Sequence, residues 1–462
     1  EAPPRAWGAL EHEPEDDGPV GRAFVRRLSS VDLRSATEPT DESPSRGGAG
    51  IVAQHRVSWN YIFSPQTEKK EVLRPTEHGI FRVKCTKNVR LTPADYHRNV
   101  FHLEFDISGT GLTYNIGDAL GVFGHNDPVE VAGFIEAFGL VSDAFVSIPH
   151  EGGEAELLTT TQLLKTRLDL FGKPSQKFYG ALAAFATDTY EQKKLAWMGS
   201  EDKEGFRLRQ LETVTFADVL MEFPSARPSI TDLVELIPPI KPRHYSISSS
   251  MKMCPNSVHL LVVAVDWTTP KGRTRFGQCT RYLAALDPAA RDEWVTVDIK
   301  PSVCHLPKDP KTPVVCAGLG TGLAPFRAFV QERTFLKAQG VEVGPMSMYF
   351  GARYRAMEYL YEEDLEAAKA AGVITDLRLA FSRDQAKKVY IQDLIREDRG
   401  KLAQYFKDDG GFFYLCGPTW PVPEVRGAIH DGLQAAAAMS ADAADDFLEE
   451  MKEDGRYILE VY

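Results

Sequence analysis

Arg243, Tyr245 and Ser246 place a cation, an aromatic ring and a hydroxyl within the run Arg243-His244-Tyr245-Ser246-Ile247-Ser248-Ser249-Ser250. A guanidinium neutralises a diphosphate, a phenol ring stacks on a second ring, and a hydroxyl hydrogen-bonds a ring nitrogen. The run therefore reads as a seat for a flat, phosphate-bearing cofactor. Taken alone, the same alternation also describes an ordinary half-buried strand. Downstream, Gly277-Gln278-Cys279-Thr280 precedes a helical run, Arg281 to Leu286, whose first amides can meet the same diphosphate. Arg227, in Pro224-Ser225-Ala226-Arg227-Pro228, offers a second charge or is simply a loop arginine.

The run Pro313 to Arg327 carries a buried strand into glycines at 318, 320 and 322, with Pro325 where a helix would begin. Gly320 and Thr321 lie where backbone can approach a pyrophosphate, although the spacing is not the usual dinucleotide fingerprint and a tight turn without ligand has the same pattern. Ser382 and Arg383 follow a strand, and Lys388, Tyr390 and Gln392 follow at alternating spacing. Hydroxyl, guanidinium and ammonium past a strand end suit the adenosine 2′-phosphate of NADPH, where an NAD site would place a carboxylate. Arg353, after Phe350-Gly351, is a further contributor or a surface arginine. Cys416 falls at a predicted strand end, and the terminal Arg456 to Tyr462 reads as a last strand ending on an aromatic able to cover a planar ring.

The elements that must position these residues change character along the chain. Residues 1–55 are rich in Pro, Gly, Ser and charge and read as a disordered or tether-like tail; within it Arg26-Arg27-Leu28-Ser29-Ser30 reads as a solvated charge cluster. Residues 56–127 alternate at period two, as in Phe81 to Cys85 and Val100 to Phe105, and predict an antiparallel sheet or barrel. Residues 128–237 shift to three-four spacing, in Val129 to Phe138, Thr160 to Leu170 and Ser175 to Ala186, and predict a helical insertion. Alternation returns over 238–305, starting at Arg243 and continuing through Val258 to Trp267. Beyond it, 306–462 alternates strands (Val314 to Ala317, Met346 to Phe350, Leu377 to Phe381, Phe412 to Leu415) with helices, which predicts a doubly wound parallel sheet. The fold class expected is thus multidomain, α+β and α/β: an antiparallel β-barrel with a helical insertion, then a parallel-sheet domain.

The chain has 462 residues, 43% hydrophobic and 26% charged, with formal net charge −12. That length suits two or three domains, and the negative charge argues against a nucleic-acid partner. No apolar run reaches a bilayer span. The six cysteines form no CxxC pair, so neither a metal site nor a disulfide framework is expected. A reducing, cytoplasmic setting follows, with a mitochondrion or other organelle as the alternative, because a chain beginning at Glu1 reads as a processed product or a fragment.

The order of these motifs, from Arg243-His244-Tyr245-Ser246 through Gly277 to Thr280, the Gly318 to Pro325 turn, Ser382-Arg383 and Cys416-Gly417 to a terminal aromatic, resembles the ferredoxin-NADP reductase module of diflavin reductases from about residue 78 onward. Ile107 to Tyr114, Leu415 to Pro423 and Arg456 to Tyr462 look like the flavoprotein subgroup of fungal-type NADPH sulfite reductases, with the reductase module of pyruvate:NADP oxidoreductase as second relative. The resemblance implies that Arg243, Tyr245 and Ser246 hold FAD, that Leu261, Val262 and Val263 contact it through backbone, and that Gly277, Gln278, Cys279, Thr280 and Arg227 bind its diphosphate. It implies that Ser382, Arg383, Lys388, Tyr390 and Gln392 hold the 2′-phosphoadenosine of NADPH. Ser246, Cys416 and Glu460 would support hydride transfer and Tyr462 would stack on the flavin, although many relatives have Asp and Trp in place of Glu460 and Tyr462. Residues 1–77 are expected to hold no flavodoxin-like FMN domain, so the implied partner is a separate electron-accepting chain, an FMN flavodoxin-like domain or a sirohaem or iron-sulfur protein, in a hetero-oligomer. A docking subunit that keeps the fold without turnover is the other reading.

Overall fold

A computed structural model describes residues 79–149, 155–290 and 293–462. The tail expected over 1–55, its basic cluster, and the first residues of the sheet region at 56–78 lie outside the described residues. The period-two alternation produces β1 (Phe81–Arg90), β2 (Val100–Asp106) and the shorter β3 (Ala119–Val122). Val83, Leu103, Phe105, Leu120 and Val122 point inward and are buried together, each contributing roughly 1.5–3 kcal/mol.

The insertion that follows, expected to be helical, also contains a strand pair, β4 (Phe145–Pro149) with β5 (Ala155–Thr159). Its helices run over Pro128–Phe138, Thr160–Thr166, Gln176–Leu182, Thr189–Ser200, Lys203–Leu211, Phe216–Glu222 and Ile230–Leu236. Asp127 caps the first by accepting the Val129 and Glu130 amides, and Gly139 ends it at φ 73°. Leu163, Leu164, Phe178, Tyr179, Phe216 and Leu220 give the insertion a core of its own.

Strand character resumes with β6 (Arg243–Ser246) and β7 (Ser257–Val263). The expected strand to Trp267 breaks after Val263, and β8 (Asp266–Thr268) folds back on β9 (Thr274–Phe276) as a separate hairpin. After the helix Gln278–Ala284, β10 (Val295–Lys300) completes an antiparallel sheet in the order β6-β3-β10-β1-β2-β7. Its two outer strands meet at one bridge, Ile247 to Leu260.

The second sheet is parallel: β11 (Val314–Leu319), β12 (Met346–Ala352), β13 (Asp376–Phe381), β14 (Phe412–Gly417) and β15 (Tyr457–Val461), in the order β13-β12-β11-β14-β15. Its central strands are apolar throughout because both faces are covered. Cys316, Met348, Phe350 and Tyr414 face one core, and Val315, Ala317, Tyr349, Phe413 and Tyr457 the other. Among the described residues no helix is long and apolar enough to cross a membrane.

Between β11 and the helix Ala324–Ala338 a 3-10 turn, Gly320–Leu323, intervenes, and Pro325 sits in the first turn of the helix beyond it. Gly320 has φ 56° with open space around it, whereas a Cβ on Gly322 would lie 2.0 Å from the Cys416 carbonyl oxygen. Gly322 therefore serves the approach of this turn to β14.

The two sheets are joined through buried polar groups. His102 on β2 hydrogen-bonds Glu104 at 3.0 Å and the Tyr361 hydroxyl of the second lobe at 2.7 Å. His259 on β7 lies 3.8 Å from the other Glu104 oxygen. Arg327, from Ala324–Ala338, donates to the Ser248 carbonyl at 2.8 Å, stands over the Tyr361 ring and comes within 3.5 Å of His259 Nδ1. The His102, Glu104 and His259 ligand atoms are close enough together to hold a metal ion, but Lys87, 3.1 Å from Glu104, and Arg327 already bring positive charge there. Burial lowers both histidines, His259 to about 4. Burial would raise the Glu104 carboxyl, but hydrogen bonding to His102, the charge of His259 and Lys87 hold it at about 2.

Two stability tests follow from these contacts. Gly322→Ala is expected to cost more than about 2 kcal/mol through the clash with Cys416, against about 1 kcal/mol for Gly320→Ala in its left-handed conformation, as read from urea midpoints. Unfolded histidines protonate near pH 6.5 and folded His259 only near 4, so between these values the unfolded chain binds more protons and stability falls as pH drops. Between pH 7 and 5 the loss is on the order of 1 kcal/mol, and His259→Gln should flatten that part of the profile.

Candidate active site

The parallel register of β14 and β15 sets Glu460 opposite Cys416, and the Tyr462 amide donates to the Gly417 carbonyl at 3.0 Å. From the other lobe, Ser246 at the end of β6 brings its hydroxyl 3.4 Å from Glu460 Oε2 and also into contact with the Cys416 thiol. Ser302, just past β10, donates a short hydrogen bond to Glu460 Oε1. Cys416 is 2% exposed, and burial, reinforced by Glu460, pushes its thiol up to about 12. It is a neutral S–H rather than a nucleophilic thiolate. Tyr462 is 58% exposed and its hydroxyl meets Thr321 Oγ1 at 2.8 Å, so the last residue lies across the Gly320–Leu323 turn. A hydroxyl, a neutral thiol and a carboxylate from two lobes can orient a planar reactant and hold protons around it.

Beside this group, Tyr245 pairs with Leu120 of β3, and its phenol, pushed upward by burial, faces the Cys279 thiol. The exposed Arg243 guanidinium donates to the Lys241 carbonyl at 3.3 Å and forms no ion pair among the described residues. Arg227 is held on the insertion: it donates to the Pro224 and Phe138 carbonyls at 2.9 and 3.3 Å and stacks over the Phe138 ring.

Gly277 caps the helix Gln278–Ala284, where a Cβ would meet Thr280 Oγ1 at 2.8 Å. The side chains here turn inward. Gln278 donates to the Gly124 carbonyl at 2.8 Å, Cys279 points at the Val122 carbonyl, and Thr280 Oγ1 accepts the Val265 amide at 3.2 Å. Only main chain is left to face a ligand. Leu261 and Val262 are likewise buried on the outer strand β7, with Val263 half-buried. An unpaired cation, an aromatic and a hydroxyl on β6, with a glycine-capped turn nearby, fit a flat ring carrying a diphosphate.

At the carboxyl ends of β12 and β13, Ala352 pairs with Phe381, the Ser382 amide donates to the Ala352 carbonyl at 3.0 Å, and the Arg383 amide donates to the Arg353 carbonyl at 2.8 Å. Two arginines and a serine thus leave adjacent strand ends together. Arg383 lies 5.9 Å over the Tyr354 ring and Arg353 reaches His97 at 3.3 Å. Lys388 is exposed, and Tyr390 begins the helix Ile391–Glu397. Gln392 departs from the group: it is 6% exposed, with its buried Oε1 unpaired among the described residues. Two residues escaped sequence reasoning. Trp420, an exposed aromatic packed edge-on against Tyr390 at 6.2 Å, lies two residues beyond Cys416-Gly417-Pro418. Ser302 carries no local pattern, and only its tertiary contact with Glu460 reveals it.

Comparison with known proteins agrees with this geometry. Residues 74–282 match the FAD binding domain family and residues 315–421 the oxidoreductase NAD-binding domain family. The sulfite reductase (NADPH) flavoprotein component of Saccharomyces cerevisiae is 48% identical over 393 residues, 83% of this chain and 37% of that protein. The probable sulfite reductase (NADPH) flavoprotein component of Schizosaccharomyces pombe is 43% identical over 413 residues, 88% and 40% of the two chains. The mitochondrial pyruvate dehydrogenase (NADP(+)) of Euglena gracilis is 36% identical over 377 residues, 81% and 20%. The chain spans less than half the length of these relatives. It joins an FAD-binding domain to an oxidoreductase NAD-binding domain, and over most of its length it is similar to the flavoprotein components of NADPH sulfite reductases.

Proposed function

We infer that the chain takes hydride from NADPH onto FAD and passes the electrons singly to a separate chain, as the flavoprotein part of a sulfite reductase. The meeting of Ser246, Cys416 and Glu460 from both lobes carries this reading, because it places the polar groups of one lobe against the seat of the other. FAD, when bound, supplies acceptance of a two-electron hydride and release of one electron at a time. Arg243, Tyr245, Ser246 and the backbone of Leu261, Val262, Val263 and Gly277 to Thr280 would hold it. Arg227, tied to Phe138, would act on the diphosphate only after leaving that contact.

Ser246 orients the reacting ring, Glu460 keeps the Ser246 hydroxyl aimed, and the neutral Cys416 thiol fills the wall behind them without competing as a nucleophile. Tyr462 covers the same face, and its hydrogen bond to Thr321 is weak enough, at about 1 kcal/mol, for the ring to move aside for nicotinamide. Gly320 and Thr321 would face the NADPH pyrophosphate. Ser382, Arg383, Lys388 and Tyr390, with Arg353 beside them, would take the 2′-phosphoadenosine, and Gln392 would support that surface from beneath.

The six antiparallel strands read as the barrel of an FAD domain over 56–127 and 238–305, with 128–237 inserted and 306–462 as the NADP domain. Two relatives are named as components, which supports a hetero-oligomer; an FMN or metal-centre chain as electron acceptor and a cytoplasmic location complete the reading. Their higher identity favours this over a pyruvate-oxidising assembly.

Arg383→Ala is expected to weaken NADPH roughly 10- to 100-fold, the value of one charge-assisted phosphate contact, and NADH less than about twofold. Steady-state dye reduction with both coenzymes reads this; an equal loss for the two contradicts the 2′-phosphate assignment.

A further inference from the structure

Glu460 lies on β15, an outer strand of its sheet, and a glutamate carboxylate has three side-chain torsions to settle. Something must hold it if it is to keep one orientation toward Ser246. The loop after β10 supplies the means. Ser302 Oγ accepts the Cys304 amide at 3.0 Å, so the single hydroxyl proton is free to point elsewhere, and it points at Glu460 Oε1. The Ser302 amide is in turn anchored on Asp118 Oδ1 at 3.3 Å.

Asp118 is 2% exposed, its second oxygen accepts the Asn115 amide at 2.7 Å, and its carbonyl accepts the amide of Ile247, the residue after Ser246. One buried aspartate thus fixes both the end of β6 and the backbone of Ser302. The carboxylate of Glu460 spans the two, with Oε1 on Ser302 and Oε2 toward Ser246.

We propose that Ser302 is a positioning residue that fixes the Glu460 carboxylate against Ser246 for hydride transfer. It acts through Glu460 and does not itself touch the reactants, so the proposal rests on the reading of Glu460 given above. A glutamate has one methylene more than an aspartate, and the Ser302 hydrogen bond removes the freedom that this methylene adds.

The test is a double-mutant cycle on the FAD-loaded full chain with Ser302→Ala, Glu460→Ala and the pair, read by anaerobic flavin bleaching with NADPH and by urea midpoint. Ser302→Ala is expected to slow bleaching roughly tenfold, with KM for NADPH and flavin content changed less than about twofold, and Ser302→Thr to restore most of the rate. In the Glu460→Ala background Ser302→Ala should not slow bleaching further, although the urea midpoint still falls through the lost Cys304 amide contact. Ser302→Cys, which keeps the volume but donates weakly, should fall between wild type and alanine, and it serves if the alanine variant does not fold.

Full additivity of the two changes in rate overturns the proposal while leaving the role of Glu460 intact. A Glu460→Ala variant that bleaches at the wild-type rate overturns both.

Discussion

Parallel pairing of the last strand, β15, beside β14 is the contact on which the rest of the site depends. Its register places Glu460 opposite Cys416 and brings Tyr462 over the glycine turn, so both residues are part of the site. A slip of one residue would turn Glu460 to the other face of the sheet and leave Ser246 and Ser302 facing an apolar side chain. The apolar partners Tyr457 and Ile458, both 5% exposed, enforce the register by burial on opposite faces. Packing therefore decides the chemistry here, through the alternation of a five-residue strand.

The second requirement is that two sheets of different construction hold a fixed relation. Val100 and Leu261 of the antiparallel sheet are buried in the same core as Cys316, Phe326 and Met348 of the parallel one, so part of the interface is continuous hydrophobic interior. Directional contacts surround it: Arg98 with Glu358 at 2.9 Å, Ser250 with Glu332 at 2.6 Å, and the Arg327, His259, Glu104, His102 and Tyr361 group. Buried hydrogen-bonded groups of this kind add specificity, since an altered docking would leave each of them unpaired in low dielectric. The same groups make the relation sensitive to acid.

Much of this was legible in the sequence. Four parallel strands and the terminal strand follow from short apolar runs between helical segments, and Arg243 to Ser246 with Ser382-Arg383 stand out because residue types and spacing suit one task. Where the sequence misled, tertiary context explains it. The β4-β5 strand pair hid inside a helical stretch because each strand is only five residues long, too short to separate a period of two from one of 3.6. The strand expected to reach Trp267 breaks because the Gly277 amide pairs with the Val265 carbonyl, a contact invisible locally. Gln392 matched the alternation of Lys388 and Tyr390, but the helix at Ile391 replaces that period and turns it inward. Ser302 could not be found, since its meaning lies wholly in a residue 158 positions away.

A single chain that aligns both cofactors would pass hydride without help from any other protein. Rapid anaerobic mixing of the FAD-loaded chain with NADPH deuterated at the transferred position tests this most directly. The account predicts stoichiometric bleaching of the flavin bands with the purified chain alone, slowed by a primary isotope effect of several-fold. Bleaching that appears only after a second protein is added, or that shows no isotope effect at any NADPH concentration where chemistry limits the rate, would contradict it.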